Sequence, residues 1–287
     1  MNKNLMKKLV LGTAMLVFAG CMVGCGSNDS AKSNKAVNDA TVIKGKISLA
    51  GSTSMEKLCE ALSESFMAAN PGVTVNVEYT GSGAGIESLV AGSVDIGNAS
   101  RGLKSGEKEK GAVENIVAID GIAVIVDKEN TIKNLSTTEL MNVYKGNIKN
   151  WKELGGKNEA IVVLGRENGS GTRGAFEELL KVKDNCKYAQ ELDSTGGVLA
   201  KVAATPGAIG YVSLDVVNAK VKPLELNGVE ANKSNILAGK YLLSRPFVMA
   251  TKGKINSQNL LVKKWFAYIS SEEGKKVISS QGLILPK

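Results

Sequence analysis

The sequence predicts an α/β fold from Ile43 onward, because segments with strand-like alternation are followed by segments with helical spacing. Val73, Val75 and Val77 alternate with polar residues, which is typical of a strand with one buried face. The run 116–126 is almost wholly apolar, which is typical of a strand buried on both faces of a parallel sheet. A chain of 287 residues with 43% hydrophobic content can form one large domain or two lobes.

The predicted strands are short apolar or alternating runs, most of them bounded by turn residues. They are expected at 46–50, 73–79, 94–97, 116–126, 161–164, 206–212 after a Pro-Gly turn, and 246–250. Asp120 interrupts the fourth strand, and a buried acid is costly unless it has a partner.

The predicted helices have apolar residues at helical spacing and recognisable ends. The first ends at Asn70-Pro71-Gly72, and the third begins with the capping-box residues Ser136 and Glu139. Helices are expected at 55–69, around 86–90, at 136–144, around 175–180 and around 260–269.

The amino terminus has the pattern of a lipoprotein signal peptide over residues 1–20. Lysines precede an apolar run that ends in Phe18-Ala19-Gly20-Cys21, which predicts lipidation of Cys21. Cys25 is the alternative, with the signal peptide then ending at residue 24, and a plain secretory signal peptide is a further alternative. Two acyl chains would hold the protein on the membrane. Residues 26–41 are polar and small, and we expect a flexible tether there.

Composition excludes several classes of protein. The chain contains no histidine, which excludes Ser-His-Asp and Cys-His nucleophile systems and His-ligated zinc. The formal charge is +8 without a dense basic stripe interleaved with aromatic residues, so no nucleic-acid partner is expected. Cys59 and Cys186 are expected to be buried free thiols. We expect neither a cofactor nor a bound metal.

Three clusters of Ser, Thr and Gly lie at predicted helix starts. They are Gly51-Ser52-Thr53-Ser54, Gly81-Ser82-Gly83-Ala84-Gly85 and Gly169-Ser170-Gly171-Thr172. A helix start offers free N–H groups and the positive end of a dipole, and hydroxyls add further donors. Arg166 lies four residues before Ser170 and would add a cationic fork. The clusters therefore predict loops that converge on one small anion, although each cluster alone is ordinary capping.

Nearly all of the chain after the leader resembles the phosphate-binding proteins of phosphate-specific (Pst) ABC transporters. The resemblance rests on the three clusters, on Val94-Asp95-Ile96-Gly97 and, most specifically, on the run from Arg166 to Thr172. It implies a two-lobed periplasmic-binding-protein fold, type II-like, with two chain crossings as hinge. The first lobe is then expected at 42–126 and 247–287 and the second at 127–246.

The resemblance also implies site residues. Thr53, Ser54 and Ser82 match the donors of the first lobe. Those of the second lobe are matched by Arg166, Ser170, Gly171 and Thr172.

The sequence departs from the family pattern at two places. Where family members have an acceptor aspartate, this chain has Asn98-Ala99-Ser100-Arg101. We hypothesise that Asp120 is the acceptor instead, and the alternative is an ion pair between Asp120 and Arg101 or another base. Arg101 then either contacts the anion or neutralises Asp120. The acid that supports the arginine is also displaced, since Glu167 is adjacent to its position and Asn168 occupies it.

The resemblance implies capture of inorganic phosphate outside the cell and its delivery to the permease of an ABC transporter, with no bond made or broken. The expected protein is a monomer, anchored by lipid to the outer face of the cytoplasmic membrane. Another oxyanion such as sulfate, molybdate or tungstate is an alternative ligand. A phosphate-ester hydrolase or nucleotide-using enzyme is disfavoured, because neither GxxxxGK[ST] nor GxSxG occurs. A lipoprotein that has lost its ligand is a third possibility.

Overall fold

A computed structural model describes residues 43–286 of the chain. The predicted signal peptide, the tether at 26–41 and the two candidate lipidation sites, Cys21 and Cys25, lie outside these residues. Among the described residues, no helix combines the length and apolarity needed to cross a membrane.

Strands occur at twelve places in residues 43–286. They are β1 (Gly45–Gly51), β2 (Val73–Glu78), β3 (Ile96–Ala99), β4 (Ala112–Val113), β5 (Ile116–Asp127), β6 (Asn134–Leu135), β7 (Val162–Arg166), β8 (Gln190–Leu192), β9 (Ala208–Ser213), β10 (Val221–Pro223), β11 (Glu225–Leu226) and β12 (Ser244–Lys252).

Nine α-helices occur in the same residues. They are α1 (Glu56–Ala69), α2 (Ser82–Ala91), α3 (Ser105–Glu109), α4 (Thr137–Tyr144), α5 (Gly171–Leu179), α6 (Thr195–Ala204), α7 (Lys233–Leu237), α8 (Leu260–Ser270) and α9 (Glu272–Ser280).

Local sequence explains where these helices begin and which face they bury. At α4, Ser136 Oγ accepts from the N–H of Glu139, and the Glu139 carboxylate accepts from the N–H of Ser136, which is the predicted capping box. In α1, Leu58, Leu62 and Phe66 are buried along one face, as their spacing predicts. Every strand and helix predicted above is present, with small shifts at the ends.

Most strands form one sheet in the order β2-β1-β3-β12-β5-β9-β7-β8. The two ends of this sheet are parallel, with β2 and β3 beside β1 at one end and β9 and β8 beside β7 at the other. In the middle, β5 pairs antiparallel with both β12 and β9. The prediction of a parallel neighbourhood for β5 was therefore wrong. Its burial on both faces is correct, and that burial comes from the covering layers and not from strand direction.

Two large hydrophobic clusters show that the body has two lobes. The first contains buried residues of β1, α1, α8 and α9, with the rings of Phe66 and Trp265 edge to face at 5.2 Å. The second contains Trp151 and Ile122–Val126 of β5. A smaller cluster around α2 adjoins the first lobe through β3 and β12.

The chain crosses between the lobes in β5 and β12. Val117 and Ala118 of β5 belong to the first cluster, whereas Ile122–Val126 belong to the second. Phe247 of β12 lies in the first cluster, while Leu243, just before β12, lies in the second. The cores thus change within these two strands. The lobe boundaries at 126/127 and 246/247 stay a prediction.

The two described cysteines are free, as expected. Cys59 is buried in the first lobe, whereas Cys186 is only partly buried. Burial raises the pKa of the Cys59 thiol to about 12, so the group is an unreactive part of the core.

Candidate anion-binding site

The three predicted Ser/Thr/Gly clusters do begin helices. Ser52 accepts a hydrogen bond from the N–H of Ser54 at the start of the turn that precedes α1. Gly81 is the residue before α2, and Ser170 caps α5 by accepting from the N–H of Arg173. These contacts fix the loops so that hydroxyls and free N–H groups point away from the helices.

Hydroxyls from the two lobes meet directly. Ser54 Oγ of the first lobe lies 2.7 Å from Thr172 Oγ1 of the second. It also lies 2.8 Å from Thr195 Oγ1, which is 3.1 Å from Thr53 Oγ1. All four residues are buried. We call Thr53, Ser54, Thr172 and Thr195 the hydroxyl cluster.

Thr195 is a site residue that sequence analysis missed. It is the first residue of α6, and Ser194 caps that helix by accepting from the N–H of Gly197. The run Ser194-Thr195-Gly196-Gly197 has the same composition as the three predicted clusters. That likeness was the available signal, so a fourth helix start belongs to the site.

A second group of hydroxyls adjoins the start of α5. Ser100 Oγ lies 2.8 Å from Ser52 Oγ and 3.4 Å from Ser82 Oγ. A Cβ atom at Gly171 would overlap Ser82 Oγ and lie 2.7 Å from Ser100 Oγ, so only glycine allows this approach. The N–H of Gly83 also donates to the carbonyl of Gly169 across the lobes, at 2.9 Å.

Arg166 lies at the end of β7 with its side chain only 2% exposed. Its Nη1 donates to Thr195 Oγ1 at 3.2 Å, which joins the guanidinium to the hydroxyl cluster. Nε and Nη2 donate to the two carboxylate oxygens of Glu167, both at 3.0 Å. Glu167 therefore supports the arginine, although Asn168 occupies the position at which family members have the supporting acid.

Asp120 and Arg101 have separate partners. Arg245 donates twice to Asp120 Oδ2, at 2.8 and 3.0 Å, and both side chains are 1% exposed. Arg101 instead pairs with Glu107 at 2.7 Å. The expected ion pair with Arg101 was therefore wrong, whereas the alternative of an ion pair with another base is correct. That base is Arg245, which the sequence analysis had not named.

Burial and charge act against each other on these acids. Burial raises the pKa of Asp120 to about 6, although the positive charge of Arg245 opposes this. Burial also tends to raise the pKa of Glu107, but hydrogen bonds from Arg101 and from the N–H of Lys104 outweigh it and lower that pKa.

A cavity of about 790 Å³ lies beside the site and has both lobes in its wall. Arg101, Arg173 and Arg245 line it, each paired with a carboxylate. The hydroxyl cluster does not line it. We place the candidate site at the hydroxyl cluster, because donors from both lobes converge there beside the buried guanidinium of Arg166.

Comparison with known proteins agrees with this geometry. The model of the PBP superfamily domain matches residues 33–273. The phosphate-binding protein PstS of Bacillus subtilis (strain 168) is 34% identical to this chain, and the match covers 99% of this chain and 95% of that protein. The chain belongs to the PstS family of phosphate-binding proteins.

Solved structures extend this result to the fold. A crystal structure from Clostridium perfringens with bound phosphate is 38% identical with a TM-score of 0.82, and the match covers 85% of this chain and all 100% of that one. An ABC-type phosphate transport receptor from Vibrio cholerae is 32% identical with a TM-score of 0.71, over 84% of this chain and 100% of that receptor. The two-lobed fold predicted from the sequence is thus confirmed.

The structure brings most residues expected from the PstS resemblance together. Thr53, Ser54 and Thr172 belong to the hydroxyl cluster, and Ser82 packs against Gly171. Ser170 caps α5 beside them, and Arg166 reaches the cluster through Thr195. Within the described residues, Arg101 and Asp120 make no hydrogen bond to the cluster. Contact of any of these residues with a ligand stays a prediction.

The first test concerns Thr195. We expect Thr195→Val to lower the free energy of unfolding by about 1–3 kcal/mol without added ligand, because it removes hydrogen-bond partners from the buried Arg166 and Ser54. Urea denaturation measures the change. Thr74→Val, at an exposed position of β2, should change it by less than about 0.5 kcal/mol. If Thr195→Val and Thr74→Val have the same free energy of unfolding, the hydrogen bonds of Thr195 do not stabilise the protein as described.

Proposed function

We propose that this chain binds inorganic phosphate outside the cell and delivers it to the permease of an ABC importer. The observation that carries the proposal is the convergence of hydroxyls from both lobes beside buried Arg166. The match to the phosphate-binding protein PstS of Bacillus subtilis and to a phosphate-bound Clostridium perfringens structure supports the choice of ligand.

The arrangement is suited to holding an anion that has lost its water. Charge-assisted hydrogen bonds contribute about 1.5–3 kcal/mol each, so several donors can replace the hydration of one oxyanion. We propose that the donors come from Thr53, Ser54, Ser82, Arg166, Ser170, Gly171 and Thr172, together with Thr195. These donors hold the ion, and the binding is reversible.

Binding is coupled to the movement of the lobes. Ser54 belongs to the first lobe, whereas Thr172 and Thr195 belong to the second. An anion that accepts hydrogen bonds from both sides favours the closed arrangement by its differential affinity for it. We propose that the closed arrangement is the one that the permease recognises, and that no cofactor or metal takes part.

The second test is direct binding of phosphate. We expect Arg166→Ala to weaken phosphate binding by about 2 kcal/mol or more, because the anion loses a buried charged donor. Calorimetric titration of the signal-free protein measures this, and Lys263→Ala on the exposed face of α8 should leave the affinity unchanged. Unchanged affinity of Arg166→Ala would displace this residue from the site. Tighter binding of sulfate or molybdate than of phosphate would contradict the proposal that phosphate is the ligand.

The third test concerns Asp120, whose role as acceptor stays a prediction. Its Oδ1 is buried and has no hydrogen-bond partner among the described residues, which supports the role. An ionised carboxylate accepts from protonated phosphate, whereas sulfate offers it only lone pairs. We expect Asp120→Asn to reduce the selectivity for phosphate over sulfate about tenfold or more. Competition calorimetry with Glu273→Gln as the control measures this, and intact selectivity would refute the role.

The fourth test concerns the anchor. We propose a lipid-anchored monomer on the outer face of the cytoplasmic membrane, since the leader pattern ends in Cys21. In cells that express the full chain, Cys21→Ser should release the protein from the membrane fraction, while Cys25→Ser should not. The reverse result would place the end of the signal peptide at residue 24. Retention of both variants in the membrane fraction would contradict the proposed lipid anchor.

A further inference from the structure

Two buried acids lie near Arg245 at the junction of the lobes. Asp120 on β5 is opposite Arg245 on β12 in the antiparallel register. On the other side of β5, Ser213 of β9 is opposite Ile122, and Asp215 follows in the turn 214–216. The junction therefore places one carboxyl group and one guanidinium on neighbouring strands and a second carboxyl group in the turn that follows β9.

Three of the four carboxylate oxygens of these acids have no hydrogen-bond donor among the described residues. Asp120 Oδ1, both carboxylate oxygens of Asp215 and the hydroxyl oxygen of Ser213 are buried, and none has a partner among the described residues. Within residues 43–286, Arg245 donates to Asp120 Oδ2 and to the carbonyl of Ser100 and to no other group. Two ionised carboxylates in such a place would be costly, because one buried cation compensates only one of them.

Burial and the mutual repulsion of the two carboxylates favour one proton on the pair, against the effect of the neighbouring cations. Burial raises the pKa of Asp120 and of Asp215. The positive charge of Arg245 on β12 acts in the other direction and lowers both pKa values. Lys57 on α1 also lowers the pKa of Asp215. The positive charge of Arg166 on β7 lowers the pKa of Arg245. Tyr241 faces Asp120, and its pKa is raised by burial and by that carboxylate, so Tyr241 stays neutral.

The pair is connected to lobe closure. Lys57 of the first lobe donates to the backbone carbonyl of Asp215 in the second lobe at 2.8 Å. Arg245 donates to the carbonyl of Ser100, whose hydroxyl adjoins Ser52 and Ser82. Separation of the lobes would break the contact with Lys57 and give water access to Asp215.

We propose that the pair of Asp120 and Asp215 holds one proton in the closed form, carried by Asp215 while Asp120 stays ionised, so that closure on phosphate takes up a proton from the solvent. Asp215 is then a positioning residue that acts through Arg245. The proposal rests on the proposed function and adds to it a linkage between protons and anion binding.

The direction of the effect follows from linkage. A solvated aspartate has a pKa of about 3.9, and the closed form holds the proton up to a pH of about 6. The closed form therefore binds more protons than the open form between these values. Phosphate affinity of the wild type, relative to a variant that lacks this group, should fall as pH rises through this range.

Calorimetric titration with phosphate in buffers of different ionisation enthalpy measures the proton uptake. At pH 5, we expect phosphate binding by the wild type to take up about half a proton or more in addition to the uptake by Asp215→Asn. The ratio of wild-type to variant affinity should fall about tenfold between pH 5 and pH 8. Protonation of phosphate itself is common to both proteins and cancels. Glu64→Gln, which removes an exposed acid of α1, should behave as the wild type.

The outcomes separate the two proposals. Failure of the wild type to bind phosphate defeats the proposed function and this inference together. Normal binding with equal proton uptake by the wild type and Asp215→Asn overturns the inference alone. If Asp215→Asn does not fold, carbon-13 NMR of the wild-type aspartate carboxyls replaces it. With phosphate bound, one carboxyl of the pair should titrate near pH 6, and titration of both at about pH 4 or below contradicts the proposal.

Discussion

The ion pair between Asp120 and Arg245 is the contact on which the arrangement of the lobes depends. It joins β5 and β12, the two strands in which the chain passes from one hydrophobic core to the other. Loss of one partner would leave a buried charge uncompensated, which is far more costly than loss of an exposed pair. The pair therefore adds a buried electrostatic constraint to the backbone ladder that joins β5 and β12 at the two crossings.

The site itself is built from neutral donors around charges that are already compensated. Arg166 is paired with Glu167 and Arg245 with Asp120, so neither arginine is an unopposed cation. The starts of α2, α5 and α6 and of the turn before α1 supply partial positive charge as well. An anion held in this way is stabilised chiefly by oriented dipoles and hydroxyls, which discriminate between ligands by the direction of each hydrogen bond.

Local patterns predicted the elements and most of the site, whereas long-range pairing could not be predicted. The motif from Arg166 to Thr172 and the helix starts depend on neighbouring residues, and they were correct. Arg245 is 125 residues from Asp120, and only the register of two antiparallel strands brings them together. The apolar run of β5 predicts that the strand is buried, but it does not predict whether the neighbouring strands are parallel or antiparallel to it. The run Ser194-Thr195-Gly196-Gly197 has the composition of the other clusters and could have predicted Thr195, but no basic residue or family motif lies beside it.

The same balance of charge explains why an additional acid is tolerated at the junction. Arg245 compensates Asp120, so a second ionised carboxylate at Asp215 would leave a net negative charge near the hydroxyl cluster and oppose an incoming anion. A proton on the pair removes that charge without removing the side chain. Lys57 lowers the pKa of Asp215 by its charge, but the hydrogen bond that it makes in the described structure goes to the backbone carbonyl and not to the carboxylate. Anion binding and proton binding at this junction are therefore expected to reinforce each other, since each reduces the electrostatic cost of the other.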